Sequence, residues 1–447
     1  MVAITGKAVP PQRKRVIDAL NLVEPDRVPV GMWGTFQGYQ NLRRGLGMDY
    51  KEDLFDYRTG STTWTTDVSF EIDIAERLDL DFIRMCYGVP GGSPGFRKIA
   101  ESDVPFQLEI KNPGEIFTDE WGVIRKWTAH ENGGYYEMIG YPLQHATSLP
   151  LEEGLKIIEN YPWLNPRDEA CVMDSPMAGM TLPEYAKYIK TETPYAILAQ
   201  GGRGGIFEQA KYMLGYAKIF SDFIEVPELI EALLTKLTDI EIEFNKGLID
   251  ACGEHIDWIR MSPEDLASEK TSFMSAKMFK KQLLPHYVRA ITEVKAHFLK
   301  KNPNGKIQFH SCGALGAPFL GGLIDGDPNS GIGGIDVFDS MPPKVARQNN
   351  PAAQKRRFGD RITFYGGIDV QETLPWGTTE EVRAEVRARI WEMGHGGGYI
   401  LSSSHRLEHD VPVENTIAMR EEAKEYGVYP LPEQPPEGVD LGEGLEE

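Results

Sequence analysis

The chain has 447 residues, 41% of them hydrophobic, with 67 acidic against 47 basic side chains and a formal net charge of −20. That is enough apolar material for one large core, and α/β barrels with insertions reach this length as a single domain. So acidic a surface argues against wrapping nucleic acid or lying on anionic lipid, because neutralising phosphates needs clustered Lys and Arg.

In chain order, the opening MVAITGKAVPPQRKRV holds no apolar run fit for a signal peptide. Nowhere does an apolar stretch approach the roughly 20 residues of a membrane span. Cys86, Cys171, Cys252 and Cys312 stand at no regular spacing, which fits a reducing compartment better than a disulfide framework. A soluble, cytoplasmic protein is expected. Eight short β-branched runs then recur, each closed by Gly, Ser, Pro or a polar cluster. They are RVPVGMWG (27–34), DFIRMCYG (81–88), YAILAQGG (195–202), HIDWIRMSP (255–263), KIQFHSCG (306–313), GIDVFDSMPP (334–343), ITFYGGID (362–369) and GYILSSSH (398–405). Several are apolar throughout, as strands buried on both faces of a parallel sheet must be.

Helical spacing fills most of the gaps, notably around Leu229 to Leu237, Ser275 to Phe298 and Thr379 to Met393. Thr378-Thr379-Glu380-Glu381 forms a capped start to the last of these. Eight strands alternating with helices predict a closed (β/α)₈ TIM barrel over residues 1–430, although periodicity alone also permits a doubly wound sheet. From about Lys98 to Leu143 the pattern changes to alternating short runs with Gly-rich turns, predicting a β-hairpin insertion after the second strand. The acidic, Pro- and Gly-rich residues 431–447 read as a mobile tail.

Chemistry in such a barrel belongs at the C-terminal ends of the strands. The fifth run ends Phe309-His310-Ser311-Cys312-Gly313, and residues two apart on a strand share a face, so His310 and Cys312 can grip one zinc ion. An ordinary core pair is the bland alternative. The eighth run brings His405 to the strand that closes the barrel, either as a third ligand or as a loop histidine hydrogen-bonded to Ser403 or Glu408. His409 competes for that role further along the loop. After the fourth run, Glu264 and Asp265 either position substrate and act as acid and base, or cap a helix. Asp369 faces the mouth or caps the next helix, and Arg203, between paired glycines, either meets an anionic substrate or sits in a simple tight turn. Trp33, Phe36 and Tyr39, with Trp121 and Trp127 of the insertion, line an apolar pocket or belong to the core.

Together these pieces resemble the uroporphyrinogen decarboxylase superfamily and, within it, the cobalamin-associated methyltransferases. The matching segments are PEDLASEKTSFMSAKMFKKQLLPHY, FHSCG, FGDRITFYGGID, GTTEEVRAEV, GGGYILSSSH and DVPVENTIAMREEAKEYG, spread from about Leu198 to Tyr429. The true decarboxylases of this superfamily use no metal and hold their polycarboxylate with arginines near the N-terminus. Met32 to Tyr39 here lacks them, and a basic-poor pocket would solvate those carboxylates badly. In the methyltransferases a third ligand, usually Cys, ends the eighth strand; aligning Val413-Glu414-Asn415 puts His405 there. The resemblance therefore implies zinc on His310, Cys312 and His405, with Glu264 or Glu408 available to the fourth position. One thiolate instead of two leaves the zinc more electrophilic, suited to an ether or hydroxyl oxygen. No Asp-x-His-x-x-Gly corrinoid segment occurs, so the implied partners are a small-molecule methyl donor and a separate corrinoid protein. Related barrels often pair as homodimers. The rival readings are a uroporphyrinogen-type decarboxylase or lyase, a corrinoid:thiol methyltransferase, and a non-catalytic binding barrel.

Overall fold

A computed structural model of the chain describes residues 8–49, 67–68, 72–86, 116–119, 121–130, 133–173, 179–201, 205–345, 349–437 and 439–442. Its strands, in chain order, are β1 (Gly34–Thr35), β2 (Asp67–Val68), β3 (Phe82–Cys86), β4 (Ile116–Thr118), β5 (Ile124–His130), β6 (Gly133–Gly140), β7 (Ala196–Gln200), β8 (Trp258–Arg260), β9 (Lys306–His310), β10 (Val337–Ser340), β11 (Thr363–Ile368) and β12 (Tyr399–Ser403). Seven of them, β3 and β7 to β12, form one sheet in which chain order is spatial order and every pairing is parallel. Their residues are buried almost without a break, as the unalternating runs require. Helices such as Pro227–Cys252, Leu284–Lys301 and Thr379–Gly394 cover the outer face. Among the described residues no helix is long and apolar enough to cross a membrane.

The sheet curls. Phe82 of β3 packs edge-on against Trp258 of β8 at 4.9 Å and Tyr365 of β11 at 5.9 Å, contacts between strands that are not neighbours. These rings form a basal apolar layer with Leu198, Val337 and Ile400, and Val16, Ala19 and Leu20 of the N-terminal helix Pro11–Leu20 pack against it. Two residues further along β3, β7, β8 and β10 the same face carries Arg84, Gln200, Arg260 and Asp339, all but Gln200 buried.

The first expected strand is not regular. Residues 29–31 fill the gap between β12 and β3 through single bonds: Gly31 N donates to Leu401 O at 3.0 Å, Leu401 N to Pro29 O at 2.9 Å, and Asp81 N to Val30 O at 3.0 Å. Pro29 has no N–H to offer a ladder, and a Cβ on Gly31 would lie 2.0 Å from the Phe82 ring, so only glycine passes this close. Among the described residues the eighth stave is thus a seam, and the regular parallel sheet has seven strands.

Between β3 and β7 the chain folds β4, β5 and β6 into a three-stranded antiparallel sheet in place of the expected hairpin, with residues 98–115 of that segment outside the described ones. Asp119 holds its first turn by accepting from Trp121 N, Val123 N and Arg125. At the other end, the described part of the C-terminal stretch is tied down: Arg356 donates to Leu441 O at 2.6 Å and Asn350 to Asp440 O at 3.1 Å. These bonds use backbone carbonyls, so a composition poor in apolar residues does not reveal them.

Candidate metal centre

β9 ends at His310, and the chain turns immediately through Cys312 and Gly313. Gly313 has φ +78°, and a Cβ there would meet the carbonyl oxygens of Ala267 and Ser268 at 2.6 Å, so the tight exit from the strand requires glycine. His310 Nε2 and Cys312 Sγ stand 3.0 Å apart, on one face as the spacing predicts. His405, two residues beyond β12, completes the set: one ligand-capable atom from each of the three lies within 4.8 Å of the others. Two imidazoles and a thiol gathered this closely are a donor set suited to zinc, which takes mixed nitrogen and sulfur ligands. The His405 ring lies 6.0 Å from that of His310 and 5.6 Å from that of Trp33. Glu408, an alternative partner for His405, accepts from Arg406 at 2.8 Å. His409 lies outside the trio and accepts through its backbone oxygen from Asn41.

Asp339 of β10 sits opposite His310 in the strand register, and its Oδ2 lies 2.8 Å from His310 Nδ1. This contact fixes the ring so that Nε2 is the nitrogen facing Cys312. Burial works against the Asp339 anion, but His310 and Arg260 outweigh it and bring the carboxyl down to about 2. Desolvation, with the nearby Asp265 and Asp339 carboxylates, pushes the Cys312 thiol well above its usual range. Asp265 is also desolvated, yet Lys211, His310 and His405 hold its carboxyl below the ordinary value, and it hydrogen-bonds Cys312. Lys211 is fully buried, paired with Glu208 at 2.5 Å and donating to Asp265 O at 3.1 Å.

Glu264 and Asp265, adjacent in sequence, part company. The Glu264 carboxylate accepts from Ile206 N, from Phe207 N at 3.2 Å and from Glu208 N at 2.8 Å, at the start of helix Phe207–Leu214. It is committed to that helix start and lies outside the His310, Cys312 and His405 trio. Asp369 likewise accepts from Gln371 N, Glu372 N and Thr373 N, with Lys344 at 3.3 Å, so it caps the short helix Thr373–Trp376. Trp33 is buried beside the centre, whereas Tyr39 and Trp121 belong to the core. Arg203 and the side chains of Phe36 and Trp127 lie outside the described residues. Sequence reasoning passed over Asp339, Arg84 and Arg260. The last two left a visible signal: the same triplet, Ile-Arg-Met, sets a cation at the middle of one short strand and the end of another, Phe82–Cys86 and Trp258–Arg260, whose other residues carry no charge.

Fold and site together define a barrel-like α/β protein with a His/Cys/His metal-capable cluster at its strand ends. The chain belongs to the uroporphyrinogen decarboxylase family, whose model matches residues 159–426. Relatives with the name uroporphyrinogen decarboxylase include those of Psychromonas ingrahamii, 24% identical over 238 residues (51% of this chain, 58% of that protein), and Pseudoalteromonas translucida, 23% over 273 residues (58% and 66%). The matched segment thus spans less than two thirds of either relative. A solved methyltransferase from Methanosarcina mazei superposes over 93% of this chain and 98% of its own, with a TM-score of 0.56 and 17% identity, a likeness of fold.

Proposed function

We propose that the protein is a zinc-dependent methyltransferase that demethylates a methoxylated small molecule and delivers the methyl group to a corrinoid on a separate protein. The observation carrying this reading is the convergence of His310, Cys312 and His405 with only one sulfur among them. A zinc ion held there would supply a Lewis acid for the ether or hydroxyl oxygen of the donor. The protein's own residues would do the rest. Asp339 holds His310 in one orientation, Trp33 packs beside His405, and Asp265, next to Cys312 and Lys211, orients the donor, while the proton needed by the demethylated oxygen comes from solvent. The curated relatives' names keep a metal-free decarboxylase as the competing reading.

Metal content and turnover separate the two. Purified protein should carry about one zinc per chain, and His310→Ala, Cys312→Ala and His405→Ala should each lose it, since three-ligand sites tolerate no deletion. Methoxylated donors should then methylate cob(I)alamin, read by the cobalt absorbance, only with wild type. Substoichiometric zinc indifferent to all three substitutions, or turnover of uroporphyrinogen that survives Cys312→Ser, would discard the methyltransferase.

A further inference from the structure

Two cations lie in the barrel beneath the candidate centre. Arg84 of β3 and Arg260 of β8 are 6% and 3% exposed, on strands separated by β7. Both donate to the same neutral oxygen, Gln200 Oε1, at 2.5 Å and 3.0 Å. Arg260 lies 3.6 Å from Asp339, which is shared with His310. Arg84 has no carboxylate partner among the described residues, and its Nε, wholly buried, meets no acceptor. A guanidinium out of water normally has its donors filled, and the stacking of Arg84 on Trp33, 4.2 Å from the ring centroid, recovers only part of the lost hydration. Arg260 approaches the same indole at 5.5 Å. Trp33 in turn touches His405, so a single indole separates the cations from a candidate metal ligand.

We propose that Arg84 and Arg260 form an anion clamp on the floor of the site, and that the ligand it takes is a small molecule carrying a carboxylate about one indole's width from its methyl-bearing oxygen. Two guanidiniums that converge on one neutral oxygen, with the buried Arg84 Nε unfilled, favour an anion between them. The carboxylate's planar pair of oxygens also matches the guanidinium fork. The methyl-bearing end of this ligand rests on the methyltransferase reading; the clamp does not.

Calorimetric titration of the zinc-loaded protein tests it, using methoxyacetate and 3-methoxybenzoate against their neutral amides, with methyl phosphate as a third probe. At least one acid should bind about thirtyfold or more tighter than its amide, as expected when a buried charge loses its partner. Arg84→Gln should erase that preference, and Arg84→Lys should keep part of it. Acid and amide binding alike, no acid binding at all, methyl phosphate outbinding both acids, or a preference untouched by Arg84→Gln would each overturn the clamp. If Arg84→Gln does not fold, the acid and amide comparison on unaltered protein still decides. An acid preference with no methylation of cob(I)alamin would retain the clamp and remove the methyltransferase, whereas methylation from a neutral ether without acid preference would do the reverse.

Discussion

His310 is useful to a cation only if its Nε2 faces Cys312, and that orientation is imposed by Asp339, 2.8 Å from the opposite ring nitrogen. Partners of this kind raise ligand basicity and remove rotational freedom, and losing one typically weakens metal binding about 10–100-fold. Asp339→Asn should therefore lower zinc affinity by about that factor in a chelator competition, while Asp336→Asn, whose carboxylate instead takes Lys295 at 2.9 Å, should leave it unchanged. Equal effects would mean that general destabilisation, and not ring orientation, is being read. His310 and Cys312 could be paired from sequence because strand geometry links positions two apart. Asp339 could not, since it lies 29 positions along the chain from His310, and only the register of β9 against β10 brings them together.

Glu264 and helix Phe207–Leu214 form the next level of organisation. Three backbone N–H groups at a helix start favour a carboxylate anion, while enclosure disfavours it, and burial dominates enough to push Glu264 up to about 8. An unfolded Glu titrates near about 4.3. The folded state therefore holds a proton that the unfolded chain has released. The resulting stability is complete below about pH 4.3 and is lost as pH rises through about 8. The unfolding free energy of wild type relative to Glu264→Gln should accordingly fall between about pH 5 and about pH 8, by up to about 1.4 kcal/mol per pH unit in urea titrations. A difference flat in pH would show that the amides win and the side chain stays ionised. Read as sequence, Ser262-Pro263-Glu264-Asp265 offered a cap or an acid and base pair. The structure splits the two residues, and the helix that Glu264 serves begins more than 50 residues earlier in the chain. By contrast Thr378 and Glu381 form the reciprocal capping box their spacing announced, because every atom involved lies within one turn.

At the scale of the whole molecule, the sheet is joined to itself across residues 29–31, and Asp81 is the side chain that holds this seam. One of its carboxylate oxygens accepts from Val30 N at 2.7 Å and Arg27 at 2.9 Å; the other is paired with Arg15 of the basal helix. Seven strands are legible because each buried run is local, whereas RVPVGMWG, apolar enough for a strand, makes only an isolated bridge to the parallel sheet, and its proline and glycines are the sole local mark of that. Asp81 itself has no local signature: its partners lie 51, 54 and 66 residues away. Asp81→Ala would leave the buried Arg27 guanidinium without its carboxylate and Arg15 with the exposed Asp26 alone, and should cost about 3–5 kcal/mol, the range for breaking a buried pair. Asp26→Ala, which removes Arg15's exposed partner, should cost at most about 1 kcal/mol. Hydrogen exchange distinguishes a seam from a generally weakened fold. In a protein closed through this stretch, the amides of Gly31 and Leu401 should lose protection in Asp81→Ala by more than those of Phe309 and Phe338, in the centre of the sheet. Uniform loss across all four would mean that Asp81 contributes stability without closing the barrel. Because Trp33 and β12, which lead to the candidate centre, flank the seam, opening it should also loosen His405 and weaken zinc binding without touching a ligand.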